Sequence, residues 1–206
     1  MSGAPGNVPP AGIGRPVQDG TAPADPLALL RDWLPADDDP ARPLAVLATV
    51  DAHGAPDART VLVSGLLAEG PTFHTDIRSR KALQLAAHPE AVLVVRWEAE
   101  ARQVVVRGSA ERTGRAEESV AFARRVPYLR RLARLNDDAF AALPRAQRQR
   151  RWSASAQDDP TPPATWAGYV LRPSELAFWE GAADAASRRV RYTRSDRGWS
   201  ARYEAG

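Results

Sequence analysis

A single lysine stands apart in this chain. Lys81 is the only one among 28 basic residues, all the others being arginine, and it lies in the stretch Phe73-His74-Thr75-Asp76-Ile77-Arg78-Ser79-Arg80-Lys81-Ala82. Phe73 and Thr75 alternate as strand residues do, Asp76-Ile77-Arg78 has the composition of a turn, and Ser79 is placed to cap a helix starting at Arg80. Such a strand, turn and helix would gather the hydroxyls of Thr75 and Ser79, the Arg80 guanidinium, the Lys81 ammonium and free backbone N–H groups at one helix N-terminus. Those are the donors a phosphate takes. The competing reading is a solvated basic turn that opens an ordinary surface helix. Gln103 is a second polar residue in an unusual place. It opens a Val-Val-Val run, where a lone amide is aimed at something polar.

The elements that must carry these groups follow from periodicity. Residues 1–24 are rich in Pro, Gly and Ala and too poor in large apolar groups to fold, so a mobile tail is expected, followed by one domain over 25–206. Asp25 and Pro26 open a helix over 27–34, with Leu27, Leu30 and Trp33 on one face. Residues 44–50 and 58–63 read as antiparallel strands joined by the turn Asp51-Ala52-His53-Gly54. Alternation puts Arg59, Val61 and Val63 on one face and Thr60, Leu62 and Ser64 on the other. A third strand over 72–75, a helix over 79–87 and strands over 91–97 and 103–110 come next. Between 115 and 152 the period becomes helical, giving helices over 119–125, 128–135 and 137–152. Their many arginines read as solvated faces whose stems cover apolar surface. Strands over 166–171, 176–180, 189–193 and 199–203 complete an α+β, mainly β chain. Its antiparallel sheet closes into a barrel that carries a helical insertion.

Composition removes several functions. The 206 residues suit one domain, and 44% hydrophobic with 26% charged content is that of an ordinary globular protein. With no cysteine there is no disulfide, thiolate metal site or cysteine nucleophile, and His53, His74 and His88 are too dispersed for a metal cluster. No apolar run approaches the ~20 residues of a membrane span, and no secretory signal opens the chain. A cytoplasmic protein without a membrane partner is expected. The net charge of +3 and pI of about 9.8 are mildly basic, but the arginines are scattered among acids, which leaves nucleic-acid binding unsupported. Neither a dinucleotide-binding glycine motif nor a Walker-type loop is present.

Taken in order, Arg59-Thr60-Val61-Leu62-Val63, Phe73-His74-Thr75, Ser79-Arg80-Lys81-Ala82, Arg102-Gln103-Val104, Phe178-Trp179 and Arg189 resemble the FMN-binding set of the pyridoxamine 5'-phosphate oxidase family. The resemblance runs from about residue 24 to the C-terminus. It implies a split β-barrel homodimer with FMN at the subunit interface. Arg59, Arg80 and Lys81 would hold the FMN phosphate, with Ser79 and Thr75 adding hydroxyls and His74 lying beside them. Thr60, Val61, Leu62, Val63 and Ser64 would run beneath the flavin ring, and Gln103 would reach its polar edge. Trp179 and Arg189 would come from the partner.

The substrate side departs from the family. Ser64 stands where the family's oxidases carry a lysine, and of the phosphate-binding Tyr, Arg and Ser of the helical insertion only Arg125 remains, beside Ala121 and Leu129. An Arg-Leu-His run is replaced by Ala185-Ala186-Ser187, which leaves Ser187 with Arg125 and Ser64 as substrate contacts. No catalytic acid or base is singled out. Ser64 and the ending Tyr192-Thr193-Arg194-Ser195-Asp196 resemble the branch that oxidises phenazine-biosynthesis intermediates, although that branch keeps the Arg-Leu-His run. What the resemblance implies is an FMN-dependent oxidase or dehydrogenase for a small secondary-metabolic ring, with dioxygen as electron acceptor. Two alternatives stay open: genuine pyridoxamine phosphate oxidation through a rearranged site using Arg124, Arg125 or Arg188, and a non-enzymatic flavin- or haem-binding dimeric carrier or sensor.

Overall fold

The computed structural model describes residues 22–36, 39, 42–155 and 159–206. Most of the expected N-terminal tail lies outside these residues. Ala22 and Pro23 do not, and both are tied down: the Ala22 N–H donates to Tyr203 Oη at 2.8 Å, and Tyr192 Oη donates to the Pro23 carbonyl at 2.9 Å.

Strands β1 (Leu44–Val50), β2 (Pro56–Leu66), β3 (Pro71–Asp76), β4 (Glu90–Trp97), β5 (Arg102–Arg112) and β6 (Trp166–Glu180) pair antiparallel in the order β3-β2-β1-β4-β5-β6. Pairing of β6 back onto β3 closes them into a six-stranded barrel. Strands β7 (Arg188–Ser195) and β8 (Gly198–Ala205) extend the sheet beyond β6. This is the antiparallel split β-barrel expected. Residues 166–171 and 176–180, expected as two strands, form the single strand β6. Pro173 has no N–H to give a ladder, but it falls at a register shift, where Gly108 lies opposite Pro173 and Arg107 opposite Glu175. Only glycine fits at 108, since a Cβ there would stand 1.9 Å from the Arg172 carbonyl oxygen.

Helix α1 (Pro26–Trp33) is capped by Asp25, whose Oδ1 accepts from the Leu27 N–H at 2.9 Å, and it plugs one end of the barrel. Its buried face is Leu29, Leu30 and Trp33, while Leu27 only packs at the margin. The Trp33 ring meets Phe178 edge-on at 5.1 Å and Trp97 at 5.8 Å, and the Arg102 guanidinium covers it at 4.8 Å. Arg102 is held by Glu180, whose Oε1 accepts from Nε and Nη2 at 2.9 and 2.8 Å. Helix α2 (Arg80–Ala87) follows β3. The insertion between β5 and β6 consists of α3 (Arg115–Ala123), α4 (Pro127–Leu135), α5 (Asp138–Ala141) and α6 (Arg145–Ala154). The one helix expected over 137–152 is thus two, because Pro144 cannot continue a helix from its N-terminal side. Helix α3 starts four residues earlier than expected, at Arg115, with Glu117 and Glu118 in its first turn, where the helix dipole favours acids. Arginine guanidinium groups lie over aromatic rings of the insertion, Arg131 over Trp152 at 5.2 Å and Arg134 over Phe122 at 5.1 Å. Among the described residues no helix is long and apolar enough to cross a membrane, and no group of acidic or histidine side chains could hold a metal ion.

Trp33 is fully buried at the junction of helix and barrel. Trp33→Ala is expected to destabilise the protein by about 3–5 kcal/mol, the usual cost of emptying a core aromatic site. Equilibrium urea unfolding measures it, and a loss under ~1 kcal/mol would show that α1 is not part of the core.

Candidate functional site

The lysine stretch folds into the arrangement its residue types suggest. Strand β3 ends at Asp76, whose Oδ1 accepts from the Arg78 N–H at 2.7 Å, and the chain turns directly into α2. Lys81 Nζ donates to Thr75 Oγ1 at 3.1 Å, and that oxygen lies 3.1 Å from Ser79 Oγ. Ser79 occupies the N-cap position, yet its hydroxyl bonds to Thr75 and caps no helix N–H. The first-turn N–H groups of α2 therefore share one corner with two hydroxyls and an ammonium. Burial, and then the charge of Arg59, pull the Lys81 pKa below its ordinary value.

Arg59 sits at the barrel end among polar partners that the sequence reading missed. Its Nη1 donates to Thr49 Oγ1 at 2.6 Å and to the Leu47 carbonyl at 3.1 Å, and its Nη2 donates to Gln84 Oε1 at 2.7 Å. Asp57 accepts from Gln84 Nε2 at 3.0 Å, pairs with Arg59 at 2.8 Å and also reaches Arg80 Nε at 3.0 Å. The Gln84 hydrogen bond, reinforced by the two arginines, holds the Asp57 carboxyl below the usual range. The signal was present in the sequence, since Asp57 lies two residues before Arg59 and so on the same strand face.

Thr60, Val61, Leu62, His74, Thr75, Ser79, Arg80 and Lys81 line a cleft of about 830 Å³, walled on its far side by α4, α5, Arg125 and Trp166. A second cavity of about 340 Å³ adjoins it and is lined by Ser64, Leu62, Ala121, Arg124, Arg125 and Leu129. Arg125 borders both. Its guanidinium stands 5.0 Å from the Trp166 ring centroid, and no carboxylate pairs with it among the described residues. Burial lowers its pKa to about 10, which leaves it a cation at neutral pH. His74 stacks on the same Trp166 ring at 4.2 Å, and its Nδ1 lies 2.8 Å from Ser64 Oγ. Burial first, and then the Arg125 charge, bring the His74 pKa down to about 3. Val63 is not in the cleft: it is fully buried in the barrel core.

Gln103, Trp179 and Arg189 border neither cavity. They are direct cross-strand neighbours, Gln103 opposite Trp179 and Trp179 opposite Arg189, so the three stand in a row on one face. Among the described residues none of the three side chains has a hydrogen bond or ion pair. That face is the barrel's outer one, shared with Thr60, Leu62, Val94 and Val105, and it exposes Leu44 (63%) and Val46 (46%). Ala185 and Ala186 are exposed, and Ser187 sits against the C-terminal Gly206. Within one chain these three do not join Ser64 and Arg125.

Comparison with known proteins agrees with this geometry. Residues 40–180 match the family model described as pyridoxamine 5'-phosphate oxidase, and residues 166–203 match that of the pyridoxine 5'-phosphate oxidase C-terminal dimerisation region. The chain belongs to the pyridoxamine 5'-phosphate oxidase family. A protein of Hyphomonas neptunium named pyridoxine/pyridoxamine 5'-phosphate oxidase is 38% identical over 186 residues, covering 85% of this chain and 84% of that one. The protein of that name from Thermobifida fusca is 41% identical over 154 residues, covering 71% and 69%. Among solved structures, PhzG from Burkholderia lata 383, in complex with tetrahydrophenazine-1-carboxylic acid, superposes with a TM-score of 0.75 at 23% identity, covering 89% of this chain and 94% of that one. This last likeness is one of fold.

The depressed His74 pKa gives this family member a defined acid response. The unfolded chain takes up the proton near the ordinary value of 6.5, whereas the folded chain refuses it down to about 3. The unfolded state therefore binds more protons across that interval, and stability falls as pH drops through it, by up to about 1.4 kcal/mol per unit. His74→Phe keeps a ring on Trp166 and removes the titration. Its unfolding free energy is expected to vary less between pH 6 and 4 than that of the native chain. Parallel profiles in that interval would mean that His74 is not held neutral by the fold.

Proposed function

We propose that the chain is an FMN-dependent oxidoreductase acting as an oxidase on a small ring substrate, with dioxygen as the electron acceptor. The observation that carries this reading is the corner where Lys81, Thr75 and Ser79 meet the uncapped start of α2. A phosphate monoester brings two negative charges and several acceptor oxygens, which matches an ammonium, two hydroxyls and a row of N–H groups. Arg80 and Arg59 add charge, tempered by the Asp57 carboxylate between them. FMN, once bound, supplies the hydride-accepting chemistry. The protein's own part is to anchor the phosphate, lay Thr60, Val61 and Leu62 along the cleft floor and exclude water from the ring.

The row Gln103, Trp179 and Arg189 supports a homodimer with FMN at its interface. An apolar outer face that exposes Leu44 and Val46 and is edged by unpaired polar groups fits a self-complementary contact. A copy lying on that face would bring its Trp179 and Arg189 to the first copy's cleft. The match of residues 166–203 to a dimerisation region points the same way. Arg125, a half-buried cation on an aromatic face with Ser64, Ala121 and Leu129 around it, suits a flat ring with one anionic group. The competing reading, pyridoxine or pyridoxamine 5'-phosphate as the substrate, has support in the names of the relatives and in Arg124 beside Arg125.

Two measurements test these readings. FMN is expected to bind with one molecule per chain of a dimer and far more tightly than riboflavin. Arg80→Ala with Lys81→Ala removes charge-assisted bonds of about 1.5–3 kcal/mol each and so weakens FMN binding by two or more decades. Calorimetry with light scattering decides it, and equal affinities for FMN and riboflavin would sink the phosphate reading. For the substrate, pyridoxine 5'-phosphate is expected to be oxidised with a kcat/KM well under the ~10⁴–10⁸ M⁻¹s⁻¹ of enzymes on their own substrates. Turnover inside that range, followed by hydrogen peroxide release, would establish the competing reading instead.

A further inference from the structure

Two buried polar atoms near the floor of the cleft have no hydrogen-bond partner. His74 Nε2 and Thr113 Oγ1 are both buried and make no hydrogen bond. Both face Gly168, where a Cβ would stand 2.9 Å from the former and 2.2 Å from the latter. Glycine at 168 keeps open the gap in which the two groups meet, after a small rotation or through one water. Glu118 closes the far side. Its side chain is fully buried, its Oε1 accepts from the Gly168 N–H at 3.0 Å, and it pairs with Arg112 and Arg115 at 3.2 and 2.8 Å. On the near side His74 Nδ1 meets Ser64 Oγ, and Ser64 lines the cavity with Arg125.

The fixed charge at the cavity end decides which way the hydrogens point. Glu118 is already neutralised by two arginines, whereas the Arg125 cation, unpaired among the described residues, draws lone pairs toward itself. Arg125 thus favours Ser64 pointing its hydrogen to His74 Nδ1, which leaves Nε2 as the protonated nitrogen, facing the Thr113 oxygen. Ser64 turns its lone pairs to the cavity. Such a chain needs a neutral imidazole, which burial beside Arg125 ensures.

We propose that Ser64, oriented through His74 and Thr113, is the acceptor for an N–H or O–H donor on the substrate, so that the cavity selects rings bearing an amino or hydroxyl group together with an anion for Arg125. This rests on the reading that the Arg125 cavity takes the substrate. Ser64 is then the residue that distinguishes ring systems of equal size and charge.

The test is a titration of the protein, with FMN added, using benzoate and ortho-, meta- and para-aminobenzoate. These share a ring and a charge but place the donor at three distances from the carboxylate. One neutral hydrogen bond corresponds to about a three- to tenfold gain in affinity. One isomer is expected to exceed benzoate by that factor, and Ser64→Ala to bring the ratio close to unity. Benzoate binding with no isomer preferred, or a preference that survives Ser64→Ala, overturns the Ser64 inference and leaves the Arg125 cavity standing. Failure of all four to bind overturns the Arg125 cavity itself. Long-range nitrogen-15 spectra of the three histidines decide the orientation without any ligand. His74 is expected as the Nε2–H tautomer, with its signals displaced in Thr113→Val, and an Nδ1–H tautomer overturns the relay.

Discussion

The pairing of β3 with the first half of β6 is the constraint on which the rest of the molecule depends. It closes the barrel, and by setting His74 opposite Gly168 and Thr75 opposite Ala167 it fixes the corner where α2 begins. The same strand then passes the bulge at Pro173 and pairs along its second half with β7. One strand therefore serves the closed barrel and the open extension. The cationic corner is attached to the first and the Trp179–Arg189 pair to the second. A ligand that needs both is most simply served by two copies, each lending its extension to the other.

Much of this was visible in the residues because strand alternation and helix capping are local. Arg59, Val61 and Val63 on one face, Thr60, Leu62 and Ser64 on the other, and the Thr75–Ser79–Lys81 corner all follow from spacings of two to six positions. The errors came where a local rule met a tertiary override. Residues 172–175 were expected to separate two strands, but Gly108 on the facing strand makes room for a bulge at Pro173, and that lies 65 positions away. Helix α3 was started too late because its first residues are polar, although Glu118 among them is among the most deeply buried side chains. No propensity reveals that a carboxylate will be drawn inside to receive a backbone N–H of β6.

The same blindness applied to His74. As one of three scattered histidines it carried no metal signal, and the family resemblance implied only a neighbour of the cofactor. Its character comes from contacts distant in sequence: Trp166 under the ring, Ser64 at one nitrogen and the Arg125 charge nearby. Serine at position 64 and arginine at 125 are then linked. A lysine at 64 would add a further cation to the cavity that Arg124 and Arg125 already line, and would favour a ligand of higher negative charge. With serine in its place, the His74 imidazole stays neutral beside the Arg125 charge. On the proposed reading, hydrogen-bond direction at Ser64 adds to Coulomb attraction in discriminating between rings. Direction is the sharper criterion for flat rings, because a misplaced donor leaves both partners buried and unsatisfied.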